Sequence, residues 1–409
     1  MLKRVDPPLY PEFPKKEFDW RAKRARKVMS KSNLDALMLT ENVNVLYATG
    51  MLSVSVGRGG WTPPSVQPTV IITQDELVFV QEQNWVRARN NKIALETTWV
   101  DNFEIVKDEV EIADVMRRYG IGRGYRVGTE FGPGTRNGII RPRLSILEAR
   151  VWNELSAQIV DGSASIWKTR MVKSSLEQDR MRKSVRAAAI ALDRALDIVE
   201  PGMNQYELAR KAGIFMYEGG ATMVTNTQVY EPGWGGSMQK DKKMQKGNYI
   251  GIDASCEYRF YTSDLYRCAL LGRRPTEGER LLYECRKGAN EILETTIKPG
   301  VPAGEIIDEL KEFVEECGCI LPQPVGGHGI GIQVHEPPGL KAGSMQPDFA
   351  NEDGKFILEE GMMFTLEMDI RHPDAFNGRA YFNIEDDVLV TSTGCEVMSD
   401  MLSRDLRIK

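Results

Sequence analysis

Four acidic residues and one histidine are the side chains through which this chain could do chemistry. Asp253 and Asp264 lie in NYIGIDASCEYRFYTSDLYRCALLG (248–272), Glu367 in MMFTLEMDI (362–370) and Glu385 in YFNIEDDVLVT (381–391). Each falls in an apolar run that reads as a strand, where an ionised carboxylate is costly to bury unless it is paired or bound to a cation. The chain has three histidines, and two of them, His328 and His335, fall in one Gly-rich stretch, GGHGIGIQVHEPPGL (326–340). Glycines beside His328 allow a close backbone approach. Taken singly, each acid reads as an ordinary strand-edge residue. Taken together, they make an oxygen-dominated site with one nitrogen donor, which suits paired divalent ions of the manganese, cobalt, zinc or iron type.

The elements that must hold these groups can be read from periodicity. The segment 248–272 predicts two strands joined near Glu257-Tyr258-Arg259, with one aspartate on each. The turn resets the register, so the two carboxylates meet only if both point the same way across the hairpin. Residues 362–370 and 381–391 predict a second hairpin with one glutamate per strand. Ser174 and Glu177 form a capping box for a helix from Ser175 to about Val199. Pro201-Gly202 stops it, and a shorter helix follows from about Asn204 to Tyr217. The order recurs: a helix from about Glu277 to Ile297, a stop at Pro299-Gly300, and a helix over about Ala303–Cys317. Two long-then-short helix pairs, each closed by Pro-Gly, point to a duplicated half-domain.

Upstream, Phe18–Lys31 predicts a helix, LDALMLT (34–40) a strand, NVNVLYATG (42–50) a short helix, PTVIITQDELVFV (68–80) a hairpin turning at Gln74-Asp75, and YRVGTEF (125–131) another strand. Alternating strands and helices imply an α/β layer. At 409 residues the chain exceeds one ordinary core. Two domains are expected, residues 1–165 and 166–409. Acidic residues number 58 and basic residues 53, for a net charge of −5. So small an excess points to neither nucleic acid nor a bilayer surface. The six cysteines have no C-x-x-C spacing, which favours a reduced, cytoplasmic setting. The Pro-rich N-terminus has no apolar segment of a secretory signal, and no run reaches the ~18 apolar residues of a membrane span.

The order Asp253, Asp264, His328, Glu367, Glu385 resembles the five-ligand signature of the pita-bread metallohydrolases, which include methionine aminopeptidase, proline aminopeptidase, prolidase and creatinase. GHGIGIQVHEPP and NIEDDVLVT resemble the proline-peptidase and creatinase branch most. The resemblance covers residues ~166–400 and implies an α+β protein, with a C-terminal pita-bread fold and a smaller α/β creatinase-like N-terminal domain. It also implies roles. Asp253 would bind one ion, Asp264 and Glu385 would bridge two, and His328 and Glu367 would complete the second. A bridging water would become the hydroxide nucleophile. Glu367 would be the general base, and His335 would face the substrate and hydrogen-bond a developing oxyanion.

Three positions depart from that pattern. MVTNTQVYEPGWGGS (223–237) lacks the histidine that proline peptidases carry upstream of the first aspartate. Glu367 is followed by Met368 rather than proline. Asn383 stands where an arginine two residues before the last glutamate helps hold a substrate carboxylate. VSVGRGG (54–60) resembles a creatinase segment whose arginine holds substrate, so Arg58 is a candidate carboxylate clamp, with Arg379 as the next. Creatinase-like proteins reach the site across a homodimer, so a closed two-fold dimer is expected. Tyr230, Trp234, Tyr258, Tyr261 and Tyr381 are further candidates for the substrate wall, each equally explicable as packing. The expected activity is hydrolysis of an amide or peptide C–N bond, of Xaa-Pro dipeptidase or aminopeptidase type. The alternatives are a small-molecule enzyme on the same fold (creatinase-like, ectoine-hydrolase-like or a lyase) and a non-catalytic binding protein.

Overall fold

A computed structural model describes residues 13–51, 66, 68–82, 98–130, 151, 153–230, 241–341, 357–378 and 383–409. Arg58, Trp234, Arg379 and Tyr381 lie outside the described residues. The chain divides into two compact units, residues 1–170 and 171–409.

The first unit is built on one mixed sheet. Helix α1 (Lys15–Lys31) buries Phe18, Ala22, Ala25 and Met29, a stripe at helical spacing. Strand β1 (Ala36–Leu39), helix α2 (Asn42–Thr49) and the hairpin β2 (Thr69–Thr73)–β3 (Leu77–Glu82) follow. The hairpin turns where the Gln74-Asp75 pair predicts, and Thr73 Oγ1 accepts from the Asp75 and Glu76 amides. Strand β4 (Asn102–Val106), helix α3 (Val110–Arg118), strands β5 (Arg126–Thr129) and β6 (Gln158–Asp161), and helix α4 (Ser163–Arg170) complete the unit. The sheet order is β4-β3-β2-β1-β5-β6. Strand β1 pairs antiparallel with β2 and parallel with β5, and β3–β4 and β5–β6 are also parallel. This is the α/β layer expected from the alternation of elements.

The second unit repeats one plan twice. Helix α5 (Ser175–Ile198) opens with the Ser174/Glu177 capping box, and α6 (Gln205–Glu218) follows a turn at Gly202, φ 93°. Strands β7 (Met223–Tyr230), β8 (Tyr249–Tyr258), β9 (Tyr261–Thr262) and β10 (Leu265–Leu270) come next. Helix α7 (Glu277–Thr296) then opens with a Thr276/Glu279 capping box, and α8 (Ala303–Glu316) follows a turn at Gly300, φ 87°. Strands β11 (Val325–Gly329), β12 (Glu336–Lys341), β13 (Met363–Leu366), β14 (Asp386–Val390) and β15 (Cys395–Val397) end the second half. A last short strand, β16 (Arg407–Ile408), returns to pair with β10. The sheets are β16-β10-β8-β7, with β9 on β8, and β12-β11-β13-β14-β15.

Three carboxylates are placed differently from the expectation that each lies within a strand. Asp264 occupies the break between β9 and β10, Glu367 follows the last residue of β13, and Glu385 precedes the first of β14. At a strand end a side chain is freed from strict up-down alternation, so three acids can converge on one point. The β8–β9 turn passes through Arg259 and Phe260, both at positive φ (50° and 74°), at the end of the Glu257-Tyr258-Arg259 junction read from sequence.

Candidate metal centre

The two halves of the second unit meet at Tyr266 and Glu385. The Glu385 amide donates to the Tyr266 carbonyl at 3.1 Å, joining the β10 side to the β14 side by one bridge. Beside it, the Asp264 amide donates to Asp387 Oδ2 at 3.0 Å. The site forms on this seam. The first half contributes Asp253 from β8 and Asp264, and the second contributes His328 from β11, Glu367 and Glu385.

One carboxylate oxygen from each of Asp253, Asp264 and Glu385 lies within 4.8 Å of the others. His328 Nε2 stands 3.7 Å from Asp264 Oδ2 and 3.8 Å from Glu367 Oε2. The Glu367 carboxyl reaches that of Glu385. All five residues expected to ligate a metal therefore face one small space. His335 lies against it, its ring centroid 4.2 Å from that of His328.

The electrostatics of this space favour a cation. Burial, then the charge of Glu367, pushes the Asp253 carboxyl up to about 7. Burial also raises Asp264 and Glu385 well above the usual carboxylate range; the charges of Asp253 and Glu367 add to both, that of Asp387 to Asp264, and that of Asp264 to Glu385. Like charges this close cannot all ionise unless something positive sits among them. The histidine gives an independent sign. His328 Nδ1 is 3.1 Å from the Gly329 carbonyl, which can only accept, so Nδ1 carries the proton. In the neutral ring Nε2 then presents its lone pair to two carboxylate oxygens. That contact is repulsive until a proton or a metal ion takes up the lone pair, and an N–H to carbonyl bond on the far nitrogen is the usual partner of a ligating histidine. The donor set fits divalent ions.

Surrounding groups orient these side chains. Asn226 Nδ2 donates to Asp253 Oδ1 at 2.7 Å, and the Tyr230 hydroxyl lies 3.4 Å from Asp253 Oδ2. Ser255 donates to Asp264 Oδ1 at 2.8 Å. Asp387 accepts from both the Asp264 amide and the Thr365 hydroxyl, and Thr365 is the cross-strand neighbour of His328. Asn383 donates through Nδ2 to Glu385 Oε1. Gly327, at φ 150°, explains one glycine beside His328: a Cβ there would lie 1.9 Å from the Thr365 carbonyl oxygen.

Among the proposed wall residues, the structure divides the tyrosines. Tyr230 stands at the site. Tyr261 is buried and donates to Glu177 at 2.9 Å, inside a helix cap, and Tyr258 stacks under Lys183 and Arg259. Packing explains those two. The third histidine, His372, accepts from the Asp374 amide at 3.1 Å. Sequence reading missed Asn226, Ser255, Thr365, Asp387 and Arg286, and treated Asn383 only as a departure. One signal was available for Arg286. It and Asn290 fall on the apolar stripe of α7 among Leu282, Cys285, Ala289 and Leu293.

The fold and the site define a metallohydrolase, and the chain belongs to metallopeptidase family M24, whose pattern matches residues 179–392. The pattern of the creatinase/prolidase N-terminal domain matches residues 21–172. The chain is 24% identical to the uncharacterized peptidase YqhT of Bacillus subtilis over 91% of its own length and 96% of that protein. It is 24% identical to a creatinase of Bacillus sp., over 94% and 91%. A solved Xaa-Pro dipeptidase from Bacillus anthracis superposes with a TM-score of 0.76 at 21% identity, covering 96% of this chain and 100% of that one. These place the chain among Xaa-Pro dipeptidase- and creatinase-like hydrolases of a metal-dependent family. Among the described residues, no helix is long and apolar enough to cross a membrane.

Proposed function

We propose that this protein hydrolyses the amide bond of a short peptide, with Xaa-Pro dipeptides as the leading candidates, using two divalent ions. The observation that carries this reading is the convergence of four carboxylates and the Nε2 lone pair of His328 on one space. Four ionised carboxylates balance the charge of two divalent cations. Asp253 would hold one ion, Asp264 and Glu385 both, and His328 and Glu367 the other; manganese, cobalt, zinc and iron all suit such donors. When bound, the ions supply Lewis acidity that lowers the pKa of water and polarises a carbonyl.

The chain's own groups then divide the work. Glu367 is the general base: its side chain is 32% exposed against 10% for Asp264, so it can take a proton from the attacking water and pass it on. His335 donates a hydrogen bond to the oxyanion that forms as the carbonyl is attacked. Tyr230, whose proton burial and then the charge of Asp253 hold in place, stays a neutral hydroxyl beside the site, directed at Gln228 Oε1 and Asp253 Oδ2. Arg58 and Arg379 are the candidate clamps for a substrate carboxylate. Asn383 favours a second reading, a small amide or amidine that needs no guanidinium at that position. A two-fold homodimer in a reducing compartment suits the creatinase-like layout and the six free thiols.

The test strips the protein of metal and assays Xaa-Pro dipeptides, other dipeptides and small N-acyl and amidino acids, with and without Mn2+. Hydrolysis of the Xaa-Pro series only with Mn2+ is the expected result. Equal activity in a chelator would remove the metal mechanism, and cleavage confined to the small acids would select the second reading.

A further inference from the structure

Resting on the metal-centre reading above, we infer that Arg286 is a positioning residue for the bridging carboxylate Glu385, acting through the Asn383 amide. Arg286 lies on α7 with 1% of its surface exposed, so it touches neither solvent nor substrate. Its Nε and one Nη reach Asn383 Oδ1 at 3.3 and 2.8 Å. The same Nη donates to the Ile384 carbonyl at 2.6 Å, and the other donates to Asn290 Oδ1. Asn290 in turn donates to Asp386 Oδ2 at 3.0 Å, and Asp386 is held by Arg267 and Arg404. The guanidinium is thus fixed from behind.

Chemistry, rather than an arbitrary choice between amide oxygen and nitrogen, fixes the orientation of Asn383. A guanidinium has only donors. The Ile384 amide, a third donor, also reaches Asn383 Oδ1, at 3.1 Å. Turning the amide over would set its NH2 against all of these donors and its oxygen against the Glu385 carboxylate. Asn383 therefore has to present its NH2 to Glu385 Oε1, and that bond sets the plane of the carboxylate and leaves its other lone pairs for ions. Asn383 stands where the proline peptidases carry an arginine. Here the positive charge is kept one layer deeper and relayed to the carboxylate by a neutral amide. The wall at 383 offers a substrate no charge.

The test is calorimetric titration of Mn2+ into metal-stripped wild type, Arg286→Met, Asn383→Ala and the double variant, with circular-dichroism melting of each before metal is added. Each single change should weaken Mn2+ binding at one site by about 10–100-fold, the usual cost of losing a partner of a metal ligand. The double variant should lose no more than the worse single within about twofold, because both act on one path. The visible spectrum of the cobalt-loaded singles should shift in the same direction. If Arg286→Met does not fold, Arg286→Lys replaces it in the cycle, since an ammonium keeps the charge but cannot span Asn383, Ile384 and Asn290 together. Arg286 variants that melt earlier yet bind Mn2+ like wild type would show a purely structural arginine and overturn the inference, as would losses that simply multiply in the double variant. A wild type that binds no Mn2+ would remove the metal-centre reading itself, whereas a binding wild type with unaffected variants removes only the role of Arg286.

Discussion

Three consecutive acids, Glu385, Asp386 and Asp387, have three different fates, and each gives a different expectation. Glu385 faces the metal space. Asp386 turns the other way, against Arg267 at 2.6 Å and Arg404 at 2.7 Å. Those guanidinium groups outweigh its burial and bring its carboxyl down to about 2. Asp387 accepts from the Asp264 amide and Thr365, and burial lifts it to about 7. Asp386→Ala should therefore destabilise the protein by about 3–5 kcal/mol in urea unfolding, because it strands two arginines, one fully buried. Glu385→Gln should instead leave the metal-stripped protein at least as stable, by relieving like-charge crowding, while it lowers metal content and activity. On the proposed bridging role, Asp264→Ala should lose both ions by elemental analysis; unchanged metal content would sink that assignment.

At the scale of elements, the two sheets hold the ligands by their ends rather than by their middles. Only Asp253 and His328 lie within strands; the other three candidate ligands sit in the break between β9 and β10 or beside the ends of β13 and β14. Strand β11 can lie flush on β13 only because Gly327 has no Cβ. Gly327→Ala should cost about 3 kcal/mol or more, from a backbone region closed to side chains plus direct overlap with Thr365, and should loosen His328 with it. Denaturant midpoints and metal affinity should fall together. The capping boxes are independent of the site: Ser174→Ala should cost only about 1 kcal/mol and leave metal binding untouched.

At the scale of the whole molecule, the site makes stability depend on pH and metal in opposite senses. In the metal-free protein Asp253 is raised to about 7 from an unfolded value of ~3.9. Its folded form holds the proton more tightly, so this stability is full below pH ~4 and is lost as pH rises through about 7. Asp264 and Glu385 act in the same direction. Asp386 works oppositely: its contribution is present above pH ~4 and lost as pH falls through about 2. Metal-stripped protein should thus melt highest near pH 4–5 and lower at pH 8. Mn2+ should raise the melting temperature most at pH 8, where the carboxylates are ionised; at 100 times its dissociation constant each site would add about 2.7 kcal/mol. A melting profile unchanged by Mn2+ at pH 8 would contradict the site. Light scattering should give twice the mass of the 46.1 kDa chain if the creatinase-like dimer forms.

Strands β4, β6, β7, β11 and β12 and helices α3 and α4 were not read from the sequence. By itself it determined part of the element order, the repeated helix pairs with their Pro-Gly stops, and the five residues that converge. Those features are local or compositional: capping boxes, turn residues, apolar periodicity, and ionisable groups too costly to bury without a purpose. It could not decide which way Asp253 and Asp264 point, because a turn resets the register. It did not show that three of the acids leave their strands just where they are needed. The holders of the ligands were hidden for a related reason. Thr365 stands across a strand pair from His328, Asp387 meets Asp264 across the seam, and Asn383 turns its NH2 to Glu385 with its oxygen held by an arginine 97 positions earlier and by the Ile384 amide. Such contacts depend on long-range register and on the seam at Tyr266 and Glu385, which exists only once both halves have folded together.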